Sequence, residues 1–187
     1  ASQRLADGNW ADLPITREAL EVLQKYHESI ADAGVMPSPV CLTVEQHERL
    51  FILNYPGGSR LNRTIGMIVT AMLTAKSGYK IGFQFDPYRI ILDVPARTTV
   101  KDLLAILKGF VPEVGSLLRF AIKDSPSLKP QLLHSARKMG AIAPDADIGK
   151  FGMKKLMEAY SDTPLYTEAV ERFLFHQLDE DGMEEFI

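Results

Sequence analysis

The spacing of apolar positions changes along this chain, and each change marks an element. Between Thr16 and Ala33, Leu20, Leu23 and Ile30 recur at helical spacing with Val22 and Tyr26 beside them; Thr16 is placed to cap this helix and Gly34 to stop it. Pro37 and Pro39 then break the chain. Val40–Glu45 and Leu50–Tyr55 are rich in strand formers and separated by a polar turn, which predicts a hairpin. Helical spacing returns from Arg60 to about Ser77, where Ile65, Ile68, Val69, Met72 and Leu73 make a broad face suited to packing on a sheet, and Gly78 ends it. Residues 80–94 predict a second hairpin: Ile81, Phe83 and Phe85 alternate, Asp86-Pro87 turns the chain, and Ile90 to Val94 return.

Beyond Pro95 the pattern is helical. Thr99 and Asp102 form a capping-box pair at the start of Val100–Lys108. Helices are predicted at Gly115–Lys123, Pro130–Met139, Met153–Tyr160 and Pro164–Leu178, the last with Thr163 as cap and Pro164 as first residue. Ala143–Gly152 is the expected exposed loop. The predicted class is α+β: a mostly antiparallel sheet of four or more strands in two hairpins, packed with helices, and a helical C-terminal half. Residues 1–34 are either a helical segment of this unit or a severed connection to a preceding domain, and residues 35–187 form the main domain.

Composition narrows the class. With 46% hydrophobic and 24% charged residues, the 187-residue chain has the make-up of a globular protein able to bury a core. No apolar run approaches the roughly 18–20 residues of a membrane span, so no membrane partner is expected. The start ASQRLADGNW lacks a basic-then-apolar leader pattern, and Cys41 is the lone cysteine. The cytoplasm is the expected compartment.

Charge is segregated. Residues 1–55 hold four Lys/Arg against eight Asp/Glu, residues 56–155 sixteen against seven, and residues 156–187 one against nine. The basic middle either builds an anion-facing surface or is neutralised by the acidic ends as the chain folds. Within it, Gly57-Gly58 precedes a helix whose first turn is read as carrying Arg60 and Arg63. Two cations at a helix start oppose its dipole, and an anion between them and the free N–H groups would reverse the sign. A nucleic-acid phosphate fits that description; so does pairing with acidic side chains or simple exposure.

Catalytic chemistry is not evident. Gly57-Gly58 lacks the downstream Gly-Lys-Ser/Thr of a phosphate-cradling loop. His27, His47, His134 and His176 are scattered without metal-ligand spacing, and no metal is expected. Cys41 falls in a predicted strand as a small core residue. Asp179, Glu180 and Asp181 read as the solvated end of a helix. Tyr55 suits core packing, with base stacking as the alternative, and Tyr88 and Phe85 close the second hairpin. Trp10 lies in the stretch that could be a severed connection.

Four stretches in order carry a resemblance: Leu61-Asn62 through Gly66, Asp86 through Ile90, His134 through Ala141, and Thr163 through Ala169. They match the patterns [RK]-[VL]-N-x-x-[LI]-G, D-P-Y-R-I, H-x-A-[RK]-x-x-G-A and T-P-[VL]-Y-x-E-A of the DEAD/H-associated domain of large helicase-related proteins, particularly the archaeal type. The resemblance spans about residues 35–180. It implies an accessory domain of a superfamily-2 helicase, following two RecA-like domains and a winged helix and helping to enclose the single strand on which the motor moves. No cofactor is then expected in this fragment, since ATP and Mg would be bound by the RecA-like domains. The expected partners are single-stranded nucleic acid, DNA or RNA, and those neighbouring domains.

One departure stands out. The family pattern S-x-L-F-x-W-[KR]-x-x-H reads here Ser125-Pro126-Ser127-Leu128-Lys129-Pro130-Gln131-Leu132-Leu133-His134, without Phe or Trp. Base stacking there lacks a π face, but Lys129, Arg137 and Lys138 keep charge for phosphates. His134, beside Leu133 and Ala136, is expected to be buried and hydrogen-bonded. The nucleic-acid-binding residues expected are Arg60, Asn62, Arg63, Lys129, Arg137 and Lys138, with no catalytic residue. The competing reading is a structural module docking the winged-helix and RecA-like domains, favoured by the acidic segments at both ends.

Overall fold

The computed structural model of the chain describes residues 14–109, 114–123, 125–146 and 153–186. Helix α1 (Arg17–Ala33) precedes β1 (Thr43–His47), β2 (Leu50–Asn54), α2 (Gly58–Ser77), β3 (Gly82–Phe85) and β4 (Arg89–Asp93). Then follow α3 (Val100–Lys108), α4 (Val114–Lys123), a 3-10 turn at Pro126–Leu128, α5 (Lys129–Lys138), α6 (Met153–Tyr160), α7 (Pro164–Gln177) and α8 (Glu180–Phe186). The class is α+β, with one four-stranded antiparallel sheet in the order β1-β2-β4-β3.

Both hairpins form, each with a local cause. Glu48 adopts φ 51°, which closes β1 onto β2 with His47 opposite Leu50. In the second, the Asp86 carboxylate accepts from the N–H groups of Tyr88 at 2.8 Å and Arg89 at 3.0 Å and from Arg89 Nε at 2.6 Å. Burial raises the pKa of Asp86, but these donors outweigh it and hold the carboxyl below its usual range. The first strand begins at Thr43 and not at Val40: Ser38 and Cys41 exchange backbone hydrogen bonds of 2.9 and 3.0 Å, which turns Pro39 and exposed Val40 out of line. Cys41 is therefore half-buried beside the sheet rather than within a strand.

Alternation gives the sheet one dry face, where Phe51, Leu53, Ile90 and Leu92 are fully buried. Ile65, Ile68, Val69 and Leu73 of α2 are buried in the same core, each fully buried apolar side chain worth about 1.5–3 kcal/mol. Gly66 permits the approach of α2 to the sheet, because a Cβ there would lie 2.5 Å from the Phe83 ring. The sheet covers one side of α2 and α3, α4 and α8 the other, so this helix is buried nearly all round. By contrast, α1 has no buried residue among those described; Val22 and Tyr26 of its apolar set face outward.

Caps agree with the sequence. Thr99 and Asp102 make the reciprocal capping box, and Thr163 accepts from Tyr166 N–H at 3.4 Å. Asp179-Glu180-Asp181 corrects the reading given above: it begins α8 instead of ending α7, with Asp179 accepting from Gly182 N–H at 3.1 Å. Met183 of α8 is fully buried, and Phe186 meets the buried Tyr55 ring edge-on at 5.1 Å. Tyr55 is thus a core residue, its hydroxyl donating to Pro39 O at 3.1 Å. The stretch Ala143–Gly152 lies partly, and Trp10 wholly, outside the described residues.

Candidate nucleic-acid interface

Helix α2 starts at Gly58, which places Arg60 in its first turn and Arg63 in the second. Its N-cap, Gly57, offers no side chain, and no acidic residue occupies the first turn. What answers the two cations is the segment at the end of α7. Arg60 donates from Nε to Leu178 O at 2.9 Å and from Nη2 to Phe175 O at 3.0 Å and to Leu178 O. These are carbonyls at the C-terminal end of α7, the negative pole of that helix.

Arg63 donates from Nη1 to Gln177 Oε1, and its guanidinium lies 4.8 Å from the Phe173 ring centre and 5.6 Å from that of Phe85. Burial lowers its pKa, though a guanidinium stays charged. Thr64 links the same elements, donating to Arg60 O at 2.9 Å and accepting from Asp179 N–H at 2.9 Å. The start of α2, the end of α7 and the start of α8 meet in one joint. At Arg60 the negative partner that the helix start called for is the set of carbonyls at the end of α7.

Asn62 corrects the sequence reading outright. It is fully buried, so it offers nothing to a ligand at the surface. Its Nδ2 donates to Tyr55 O at 3.0 Å and Asp86 O at 2.9 Å, fastening the end of β2 and the second hairpin turn to α2. Its Oδ1 is buried without a partner and faces Gly57, where any Cβ would lie 2.9 Å from that oxygen and 2.7 Å from the Tyr55 ring.

The remaining expected residues lie on α5. Leu132, Ser135 and Ala136 are buried, whereas Arg137 and Lys138 are exposed in the last turn. His134 is exposed too, contrary to the burial expected from its apolar neighbours: it stands about 200° around the helix from Leu132. Neither Lys129, Arg137 nor Lys138 forms an ion pair among the described residues. Lys129 borders an open cleft of about 840 Å³ between α4, α5, α6 and α7, where Arg119 and Lys123 face Glu158, Asp162 and Glu171. Arg119 and Glu171 are paired there at 2.5 Å. Arg119 and Lys123 were not singled out from sequence, although their i,i+4 spacing puts them on one face of a predicted helix.

These groups do not gather into one basic groove. Lys129 shares its cleft with Val170 and Glu171, while Met139, past the other end of α5, sits beside Thr163 and Pro164. Helices α5 and α7 are therefore antiparallel. The 14 residues of α7 hold the Arg60–Arg63 joint about 20 Å from the Arg137–Lys138 end. Of the charge blocks, the basic middle meets an acidic side chain of the C-terminal segment in Arg119–Glu171, whereas Arg60 and Arg63 meet its backbone carbonyls and Gln177, and Arg137 and Lys138 face solvent.

The α+β fold is one shared with a known family and a solved structure. The sequence pattern of the DEAD/H associated family matches residues 36–187, and the chain belongs to this family. Among solved structures it is similar to Mycobacterium smegmatis helicase Lhr bound to ssDNA and AMP-PNP, at 18% identity and a TM-score of 0.69. The match covers 98% of this chain and 26% of that one, so the chain spans about a quarter of that helicase. No curated protein matches. Among the described residues, no helix is long and apolar enough to cross a membrane, and no three His, Cys, Asp or Glu side chains gather as metal ligands.

Proposed function

We propose that this protein is a non-catalytic accessory domain of an ATP-dependent helicase and contacts single-stranded nucleic acid through phosphates. The observation that carries this reading is the set of cations on α5, half-buried Lys129 and exposed Arg137 and Lys138, which form no ion pair with a carboxylate among the described residues. A solvated cation without an internal partner loses little on meeting a phosphate and gains by releasing counterions. The solved relative was captured on ssDNA, which gives the reading its direction. ATP and Mg belong to RecA-like domains of the parent, so this chain contributes grip and enclosure. Arg60, Asn62 and Arg63 serve as the joint that holds the sheet half to the helical half.

Fluorescence anisotropy with a labelled single strand, titrated at several salt concentrations, tests this. Binding should be weak and salt-steep. Reversing Lys129, Arg137 and Lys138 to Glu should weaken it and lower the slope of log K against log salt by about 2, since each phosphate contact on a single strand contributes about 0.7. An unchanged slope in the triple variant refutes the assignment to α5.

A second reading draws on different residues. Tyr88, Phe120 and Phe175 are each roughly 70% or more exposed, large apolar groups of the kind that dock other domains. On this reading the domain is a structural module against the winged-helix and RecA-like domains of its parent. Substituting Phe120 or Phe175 should then leave strand binding by the isolated chain unchanged while weakening its association with those domains.

A further inference from the structure

The far end of α2 carries a cluster that neither the family patterns nor the charge at the helix start called attention to. Lys76 lies in the last turn, Gly78 turns the chain with φ 71°, and Tyr79 and Lys80 follow before Ile81 dives into the core. Arg97 reaches the same place from the loop ahead of α3, and Lys101 stands in the first turn of α3, next in the chain to Asp102. Arg97 donates to Ser77 O at 2.7 Å, and its guanidinium lies 4.4 Å from the Tyr79 ring centre. Lys76 pairs with Asp102 at 2.6 Å.

Two of these cations have structural work, because Arg97 and Lys76 answer the negative pole of α2 and the Asp102 carboxylate. Lys80 and Lys101 have none. Both are exposed and form no ion pair among the described residues. Asp93, opposite Gly82 in the sheet, is paired with Arg49 at 3.2 Å. Lys80 follows Tyr79 and Lys101 precedes Asp102 in the chain, so two cations without an ion pair stand next to the Arg97–Tyr79 and Lys76–Asp102 contacts. Among them stands Tyr79, 54% exposed, with a guanidinium across one face of its ring.

From this arrangement we infer that the C-terminal end of α2 is a single-strand binding site, in which a base stacks on Tyr79 and the flanking phosphates meet Lys80 and Lys101. An aromatic face amid unpaired cations is the combination that holds single strands without reading sequence. It supplies the π surface that the segment before His134 lacks. Arg97 backs the ring and fixes its tilt, so little order has to be imposed when a base arrives. This inference rests on the proposed function and gives that function a second point of contact.

The test uses the whole chain and an oligothymidylate carrying 5-iodouracil. Irradiation should crosslink the strand to Tyr79, located by mass spectrometry of the digested protein. Tyr79→Ala should weaken anisotropy-measured binding by about tenfold, while Tyr79→Phe, which keeps the π face, should bind within about twofold of the parent. Lys80→Ala and Lys101→Ala should each lower the salt slope by about 0.7. If the chain binds the strand but Tyr79→Ala binds as tightly as the parent and crosslinks fall elsewhere, this site is refuted and the proposed function stands. If the parent chain shows no strand binding at any salt concentration, both fall. Since Tyr79 lies outside the core, thermal melting of each variant should match the parent; a melt lowered equally in Tyr79→Ala and Tyr79→Phe, with equal loss of binding, would assign the ring a structural role and overturn the site.

Discussion

Replacing Arg60 and Arg63 together by Glu separates a ligand site from a joint. The dipole of α2 taken alone favours the substitution, because an acidic residue in a first helical turn gains about 0.3–1 kcal/mol. The contacts reverse the sign. Arg60 gives charged hydrogen bonds to the carbonyls of Phe175 and Leu178. Such bonds run to about 1.5–3 kcal/mol, and the exposure of this side chain cuts that to about 1–2. Arg63 adds its bond to Gln177 and its place between Phe173 and Phe85, together about 1–2 kcal/mol. Glutamates would also face the negative end of α7 and the Asp179 cap. The double variant should be less stable by about 3 kcal/mol, a drop in melting temperature of about 6–12 °C for a chain of this size. Differential scanning calorimetry measures it, with anisotropy on the same sample. A variant that melts with the parent yet no longer binds a single strand would refute the joint and restore a phosphate site at the helix start.

Asn62→Ala removes two buried donors and leaves the carbonyls of Tyr55 and Asp86 unanswered, so it should cost about 2–4 kcal/mol in urea unfolding, and Asn62→Asp, with acceptors facing acceptors, more still; an unchanged midpoint in both would show that the tie is absent. Asp102 is held well below the usual carboxylate range, first by Lys76 and then by the Thr99 hydroxyl and N–H. A depressed folded pKa stabilises above the ordinary value of 3.8 and is lost as pH falls beneath it, so the parent should lose stability below about pH 4 in a way that Asp102→Asn does not. Parallel acid slopes for the two proteins in chemical unfolding would rule this out.

The elements could be read from the sequence because their causes are local: alternating Ile81, Phe83 and Phe85, the Asp86-Pro87 turn, and the Thr99–Asp102 box each lie within a few residues. Helix α8 escaped because its acidic start resembles a solvated helix end, and the packing of Met183 that stabilises it comes from distant residues. The site was legible only in part. The sequence showed two arginines near a helix start and the physical need for a negative partner. That partner lies 115 and 118 residues away along the chain, which no local pattern records. Asn62 looked like a polar surface residue because its acceptors are backbone carbonyls, which carry no residue-type signal. The apolar flanks of His134 misled for a simpler reason: the helical turn puts Leu132 and Ala136 inside and carries His134 outward.

The long-range joint at Arg60 also has a meaning in time. A ribosome delivers the start of α2 well before the carbonyls of Phe175 and Leu178 exist as acceptors. Until that stretch of chain has emerged, the nascent protein carries two unanswered cations at a helix start and an open flank on Tyr55 where Phe186 will sit. The hairpins and α2 can gather early, but the unit closes only when its last two helices arrive. Completion of the fold is thereby coupled to completion of synthesis through residue 186, and a chain interrupted before α8 would present its basic helix start to whatever anion is at hand.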